Sequence, residues 1–298
     1  MTWFLVAISG YFLFAVSGIG DKILLRQKAT TKPWVYSFWV AVLSLFSFVI
    51  APWGLHWPGW PQFGLAMLAG VFYFVQISCL YFAVDRNEAS RVFPLVGGVT
   101  PIFVLLLSGI FLNESLTGGQ IIAFFLLIGG GVTISLKRNQ EGRFTFKGWR
   151  YIIAAILIGA IYFALEKYIF GVQGFVTGFV WSRLGLGLAA LSLLFWSAFR
   201  REIFRSRRQA SRGLNIAFVS NKLISGVGSF LIHIAVALAS VSLVTAMQGL
   251  EYVFLLGLTV LLAKKFPQIL REKTTSLIIA QKTVAVILIA GGLVILAF

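Results

Sequence analysis

Cysteine is nearly missing from this chain, and charge is scarce. One cysteine, Cys79, stands among 298 residues inside an apolar run. No disulfide framework and no cysteine metal site can form from it. Only 11% of the residues are charged, against about 25% in ordinary soluble domains. Nine acids and two histidines leave little for a metal or a catalytic centre. There is no phosphate-binding loop, no paired-histidine zinc motif and no serine elbow. An ATP-driven pump is therefore excluded, and neither cofactor nor metal is expected. A membrane enzyme would lack an assembled catalytic set. The opening Met1-Thr2-Trp3 lacks the basic stretch of a cleaved signal peptide, so the first apolar run is expected to stay in the mature chain.

What is present is apolar: 59% of the chain, with a mean hydropathy of +0.94. This excludes a soluble enzyme, a disordered tail and a fibre. Ten apolar runs are long enough to cross a bilayer: 3–25, 34–53, 64–84, 92–112, 118–136, 150–171, 174–197, 214–236, 238–262 and 279–297. Each is continuous rather than alternating, which suits helices and not barrel strands. Trp34, Trp53, Trp57, Trp60, Trp149 and Trp196 fall near run ends, where an amphipathic ring prefers the headgroup zone. The fold expected is an all-α integral membrane protein of ten transmembrane helices.

The net charge of +16 could suggest nucleic acid. That reading needs the charges on one exposed face, whereas here they sit in short loops, so no nucleic-acid partner is expected. The first loop holds Lys22, Arg26, Lys28 and Lys32, and the third Arg86 and Arg91. The fifth holds Lys137, Arg138, Arg143, Lys147 and Arg150. The seventh holds Arg200, Arg201, Arg205, Arg207, Arg208 and Arg212, and the ninth Lys264, Lys265, Arg271 and Lys273. Even loops hold only Lys167. The positive-inside rule then makes odd-numbered loops cytoplasmic and puts both termini outside. The location expected is the cytoplasmic membrane.

The chain repeats itself. Asp21-Lys22-Ile23-Leu24 ends the first run and Glu166-Lys167-Tyr168-Ile169 the sixth. Tyr81-Phe82-Ala83-Val84 answers His233-Ile234-Ala235-Val236, and Gly98 through Phe103 answers Gly249 through Phe254. Gly129-Gly130-Gly131-Val132 answers Gly291-Gly292-Leu293-Val294. The order is the same in both copies. This divides the chain into two five-helix repeats, 1–138 and 139–298. Five is odd, so the second repeat crosses in the opposite sense, as in many secondary transporters.

Certain residues carry a family resemblance. Ala89-Ser90-Arg91-Val92-Phe93-Pro94-Leu95, Thr100-Pro101, Leu107 through Leu116, Gln120 and Gly129-Gly130-Gly131 together resemble the EamA repeat of the drug/metabolite transporter superfamily. The second copy fits more loosely, with Lys265 where the first has Glu114. Arg183 resembles an arginine often found early in that repeat's second helix. The resemblance implies a ten-helix carrier with a central cavity between inverted halves. Family members are usually drawn with both termini cytoplasmic, opposite to the charge count here.

Ionisable residues inside spans are expensive and point to function or to pairing. Arg183, Lys222 and Glu251 stand out. Lys222, Ser225, Ser229 and His233 share one helix face by spacing, as do Thr245, Gln248 and Glu251 or Tyr252. Glu251 reads as a coupling or amine-binding carboxylate, or as one half of an ion pair with Lys222 or Arg183. Arg183 reads as an anion binder or, preferably, as an arginine snorkelling to the outer interface. His233 reads as interfacial or, as the lesser reading, as a proton carrier, since histidine titrates near neutrality. Asp21-Lys22 and Glu166-Lys167 could form gates, though charges that end helices are the plainer reading. Tyr73 and Gln76 add a polar patch to the third span, which would touch substrate together with Ser229, Gln248 and Tyr252, unless Gln76 simply bonds a neighbouring helix. Pro94 and Pro101 could kink the fourth. The glycine clusters permit close helix approach, within the bundle or at a homodimer contact.

The function expected is a secondary transporter in the lipid bilayer. It would export a small-molecule substrate, an amino acid or similar amphiphile, by alternating access. A flippase for a lipid-linked precursor, or a membrane scaffold or enzyme, are the alternatives.

Overall fold

The computed structural model describes residues 2–24, 32–87, 89–135, 147–209, 211–262 and 276–297. They form helices only, in this order: α1 Thr2–Leu24, α2 Pro33–Leu43, a 3-10 stretch Ser44–Trp53, α3 Trp60–Arg86, α4 Ala89–Phe111, α5 Gly118–Ser135, α6 Trp149–Gln173, α7 Phe175–Ser192, a 3-10 turn Leu193–Phe195, α8 Ser197–Gln209, α9 Arg212–Leu238, α10 Val241–Ala246, α11 Gly249–Leu262 and α12 Ser276–Ala297. Among the described residues nine stretches are long and apolar enough to cross a membrane, and Gly118–Ile134 is a shorter apolar helix. The chain is thus an all-α, multi-pass membrane protein. The expected runs fall on these stretches, with three differences.

The third span starts early, at Trp60, because Gly59 takes a positive φ of 86° and Pro61 opens the first turn. The basic seventh loop contains a helix of its own, α8. Its Ile203 is fully buried in a cluster with Val35 and Phe38 of α2, and Phe199 meets Trp34 edge-on at 5.9 Å. Lys32 and Glu202 form an ion pair that fixes α8 to the entry of α2. The ninth span is two helices: α10 ends after six residues, and α11 starts at Gly249.

Helices far apart in the chain pack together. The first span lies along α9, α3 along α6 and α7, α4 along α6, α1 along α11, and α5 along α12. Two glycine pairs set how closely. A Cβ on Gly70 would sit 2.1 Å from the Ser182 carbonyl, and one on Gly185 2.3 Å from that of Met67. The backbones of α3 and α7 therefore touch. Gly130 and Gly292 do the same for α5 and α12, where a Cβ would meet Ile289 Cγ1 at 2.5 Å and Leu127 Cγ at 2.8 Å. The triple-glycine motif thus works inside the bundle. Pro94 and Pro101 both lie within α4, which runs on past them. Trp57, Trp60, Phe63 and Trp181 form a ring cluster at one rim, with Trp53 and Trp60 strongly exposed, as expected of an aromatic belt.

Candidate functional site

Three polar centres lie within the apolar bundle. The first ties α9 to α6 and α7. Glu166 is completely buried, and Arg183 is only 3% exposed. Glu166 Oε2 lies 2.7 Å from His233 Nε2, and Ser182 Oγ donates to Oε1 at 3.2 Å. Tyr162 Oη lies 2.8 Å and Arg183 Nη2 3.0 Å from the same ring nitrogen. On the other side of the ring, Nδ1 lies 2.5 Å from the Ser229 carbonyl. The Arg183 guanidinium is sandwiched over Tyr73 at 4.8 Å and Phe179 at 4.5 Å, and Tyr73 stacks flat on Tyr162 at 4.4 Å. The guanidinium is thereby desolvated by rings and held by partners it can polarise. The close α3–α7 contact at Gly70 and Gly185 brings Tyr73 within reach.

These positions correct three expectations. Arg183 does not snorkel; it is enclosed by α3, α7 and α9. Glu166 does not end a helix, because α6 continues to Gln173 and turns that side of the helix inward. His233 is buried and not interfacial. Lys167 does lie at an end, though of α9 and not of its own helix. Its Nζ donates to the carbonyls of Val236, Ala237 and Ala239 at 2.8, 3.3 and 2.6 Å, an ammonium on the negative end of a helix.

The second centre lies near the other end of α9. Asp21 accepts hydrogen bonds from Tyr36 Oη and Asn221 Nδ2, both at 2.6 Å, and from Lys222 Nζ at 2.9 Å. Lys222 also lies over the Tyr36 ring at 4.7 Å. Gly20 makes room for Asn221, since a Cβ there would meet its Oδ1 at 2.1 Å. Lys222 therefore pairs with Asp21, and neither anticipated pair with Glu251 forms. The side chain of Lys22 lies outside the described residues.

The third centre is the break in the ninth span. The Gln248 N–H bonds back to Thr245 at 3.1 Å, so the Val244 carbonyl loses its usual helical donor. Tyr11 Oη takes that place at 2.7 Å. Glu251 occupies the first turn of α11, near the N-terminal end of the helix dipole. Among the described residues its carboxylate has no hydrogen bond and no ion pair, while Tyr11, Tyr252 and Asp21 stand within electrostatic range. Tyr252 Oη is committed to the Phe93 carbonyl at 2.6 Å. Gln248 lies against Gly97, and Gln76 against Gly159, with its Oε1 buried and without a hydrogen-bond partner. Thr245 bonds its own helix. The far end of α10 is capped by Glu114, which accepts from Val241 N and Ser242 Oγ, both at 3.0 Å.

Among the described residues no group of three metal-ligating side chains gathers. The architecture defines a multi-pass helical membrane protein with charged clusters buried between helices that pack across the chain. Residues 1–136 match the model of the EamA-like transporter family. The match supports an EamA-type member of the drug/metabolite transporter superfamily, a family of membrane transporters. No curated protein matches it. A solved crystal structure matches with a TM-score of 0.68 at 15% identity, covering 99% of this chain and 96% of the other. At that identity the likeness concerns the fold alone.

Proposed function

We propose that this protein is a secondary carrier that moves a small amphiphilic solute across the cytoplasmic membrane by alternating access, outward. The observation that carries the reading is the pair of polar clasps on one face of α9. Lys222 and His233 are eleven residues apart, three helical turns and about 16 Å at 1.5 Å per residue. One clasp ties α9 to α1 and α2, the other to α6 and α7. Opening one while the other holds would admit solute from one side only. Against α1 lies the α10–α11 break with Glu251, a carboxylate that has no ion pair among the described residues and so is suited to a substrate amine or a coupling ion. Broken helices beside a midplane site are a carrier device. The repeat boundary between 138 and 139, and cytoplasmic odd-numbered loops, belong to the same proposal. The helix pairings support it, because span one on α9 and span six on α3 exchange when the two halves are exchanged.

The test is the melting temperature of the purified protein against amino acids, polyamines, purines, sugar phosphates and lipid-linked sugars. A ligand that binds only the folded state stabilises it by about 2.7 kcal/mol at a hundred times its dissociation constant. A saturable shift with a soluble amine, absent in Glu251→Gln, is the expected result. Flux in vesicles should vanish in the same variant while its folding is kept. Normal flux through well-folded Glu251→Gln would remove that residue from the mechanism.

A further inference from the structure

We infer that Glu166 and His233 form a proton-binding site, and that the proton it holds fastens α9 to α6 and α7. The inference rests on the carrier reading and names its coupling ion. The argument is one of donors and acceptors. A carbonyl only accepts, so the Ser229 oxygen at 2.5 Å from Nδ1 puts a hydrogen on Nδ1. If the ring is neutral, Nε2 then carries a lone pair. A guanidinium only donates, so Arg183 at 3.0 Å suits that lone pair, as does the Tyr162 hydroxyl. The Glu166 Oε2 at 2.7 Å does not. A bare carboxylate against a bare ring nitrogen at that distance repels. One more proton, on the carboxyl or on the ring, turns the contact attractive. The closed arrangement therefore contains one exchangeable proton beyond that on Nδ1.

The contact depends on charge rather than on alignment, since Oε2 receives no well-directed hydrogen bond. The groups facing the ring are few. They are Glu166 and Tyr162 from α6 and Arg183 from α7, with Tyr73 of α3 behind Arg183. Phe163, Phe170 and Phe179 fill the remaining space. No water-exposed atom of Glu166 dilutes the effect, because the residue is 0% exposed. Release of the proton leaves two like-signed atoms in contact in a medium that screens poorly. The relief is movement of α9 away from α6 and α7, which opens that end of the bundle. No bond other than N–H or O–H is made or broken, and the proton passes to water on the opened side.

The chain has only two histidines, which makes the test clean. Protein with ¹⁵N-labelled histidine in lipid nanodiscs is titrated from acid to alkaline pH, with His56→Gln to assign the two rings. In parallel, spin labels at Val172 and Leu238, exposed at the ends of α6 and α9, report their separation in a Cys79→Ser background. The expected result is a His233 ring transition and a separation that grows by a few ångström at the same midpoint. Glu166→Gln should abolish the pH dependence of the separation, and Glu166→Asp should keep it with a displaced midpoint. A separation constant over the whole range in folded wild-type protein would overturn the proposal. So would an unchanged pH response in both Glu166→Gln and His233→Gln. Failure of the carrier reading looks different: the helices would part with pH, yet no compound would cross the membrane. A working carrier indifferent to an imposed proton gradient would overturn the proton site alone.

Discussion

At the residue scale, Asp21, Glu166, Arg183 and Lys222 fasten helices, while Glu251 has no ion pair among the described residues. Asp21 fastens: it collects Tyr36, Asn221 and Lys222. Removing one partner of a buried ion pair costs about 3–5 kcal/mol, because the other is left uncompensated. Lys222 is 5% exposed while Asp21 is 25% exposed, so Asp21→Ala should fall toward the lower figure. The double variant Asp21→Ala/Lys222→Met should recover most of the loss in melting temperature; no recovery would mean that the pair is not the reason for the charges. Tyr11 serves the backbone. Tyr11→Phe strips the Val244 carbonyl of its donor, and hydrogen bonds within membranes are worth about 0.6–2 kcal/mol. A small drop in melting temperature is expected, with faster hydrogen exchange confined to the α10–α11 junction. The polar face Lys222, Ser229, His233 was legible from spacing alone. Its partners were not, because Asp21 and Lys222 are 201 residues apart, and only helix packing brings them together.

At the scale of elements, continuous apolar runs announce spans reliably, since the hydrocarbon demands about twenty apolar residues per crossing. What they hide is any helix that is not apolar. α8 was invisible for that reason: its arginines read as topology signal, and only Phe199 and Ile203 at four-residue spacing hint at a packed face. The break in the ninth span was hidden as well. No proline marks it, and Gly249 is one glycine among 30. The packing of α3 on α7 offers a direct check. Gly70→Leu drives a side chain into the Ser182 carbonyl and should cost more than the 1–3 kcal/mol or so typical of overpacking. Gly64→Leu, on the same helix and facing open space, should be neutral. Monodispersity on size exclusion and melting temperature separate the two. Equal behaviour would mean that α3 and α7 do not touch as described.

At the scale of the molecule, the basic loops alternate with nearly uncharged ones, and the orientation proposed follows from that alternation. A C-terminal alkaline phosphatase fusion should be active and a fluorescent protein fusion dark if the termini face outward. The opposite pattern would invert the whole chain and place the proton-held clasp at the cytoplasmic end.

The long-range pairing of helices also bears on synthesis. The first span rests on α9 and the fifth on α12, so each packs against a helix made much later. A nascent chain that has delivered only its early helices to the membrane holds grooves shaped for helices still inside the ribosome. Lipid must fill the Gly130 groove until Ile289 arrives. The groove on α5 is closed only when α12, made more than a hundred residues later, packs into it.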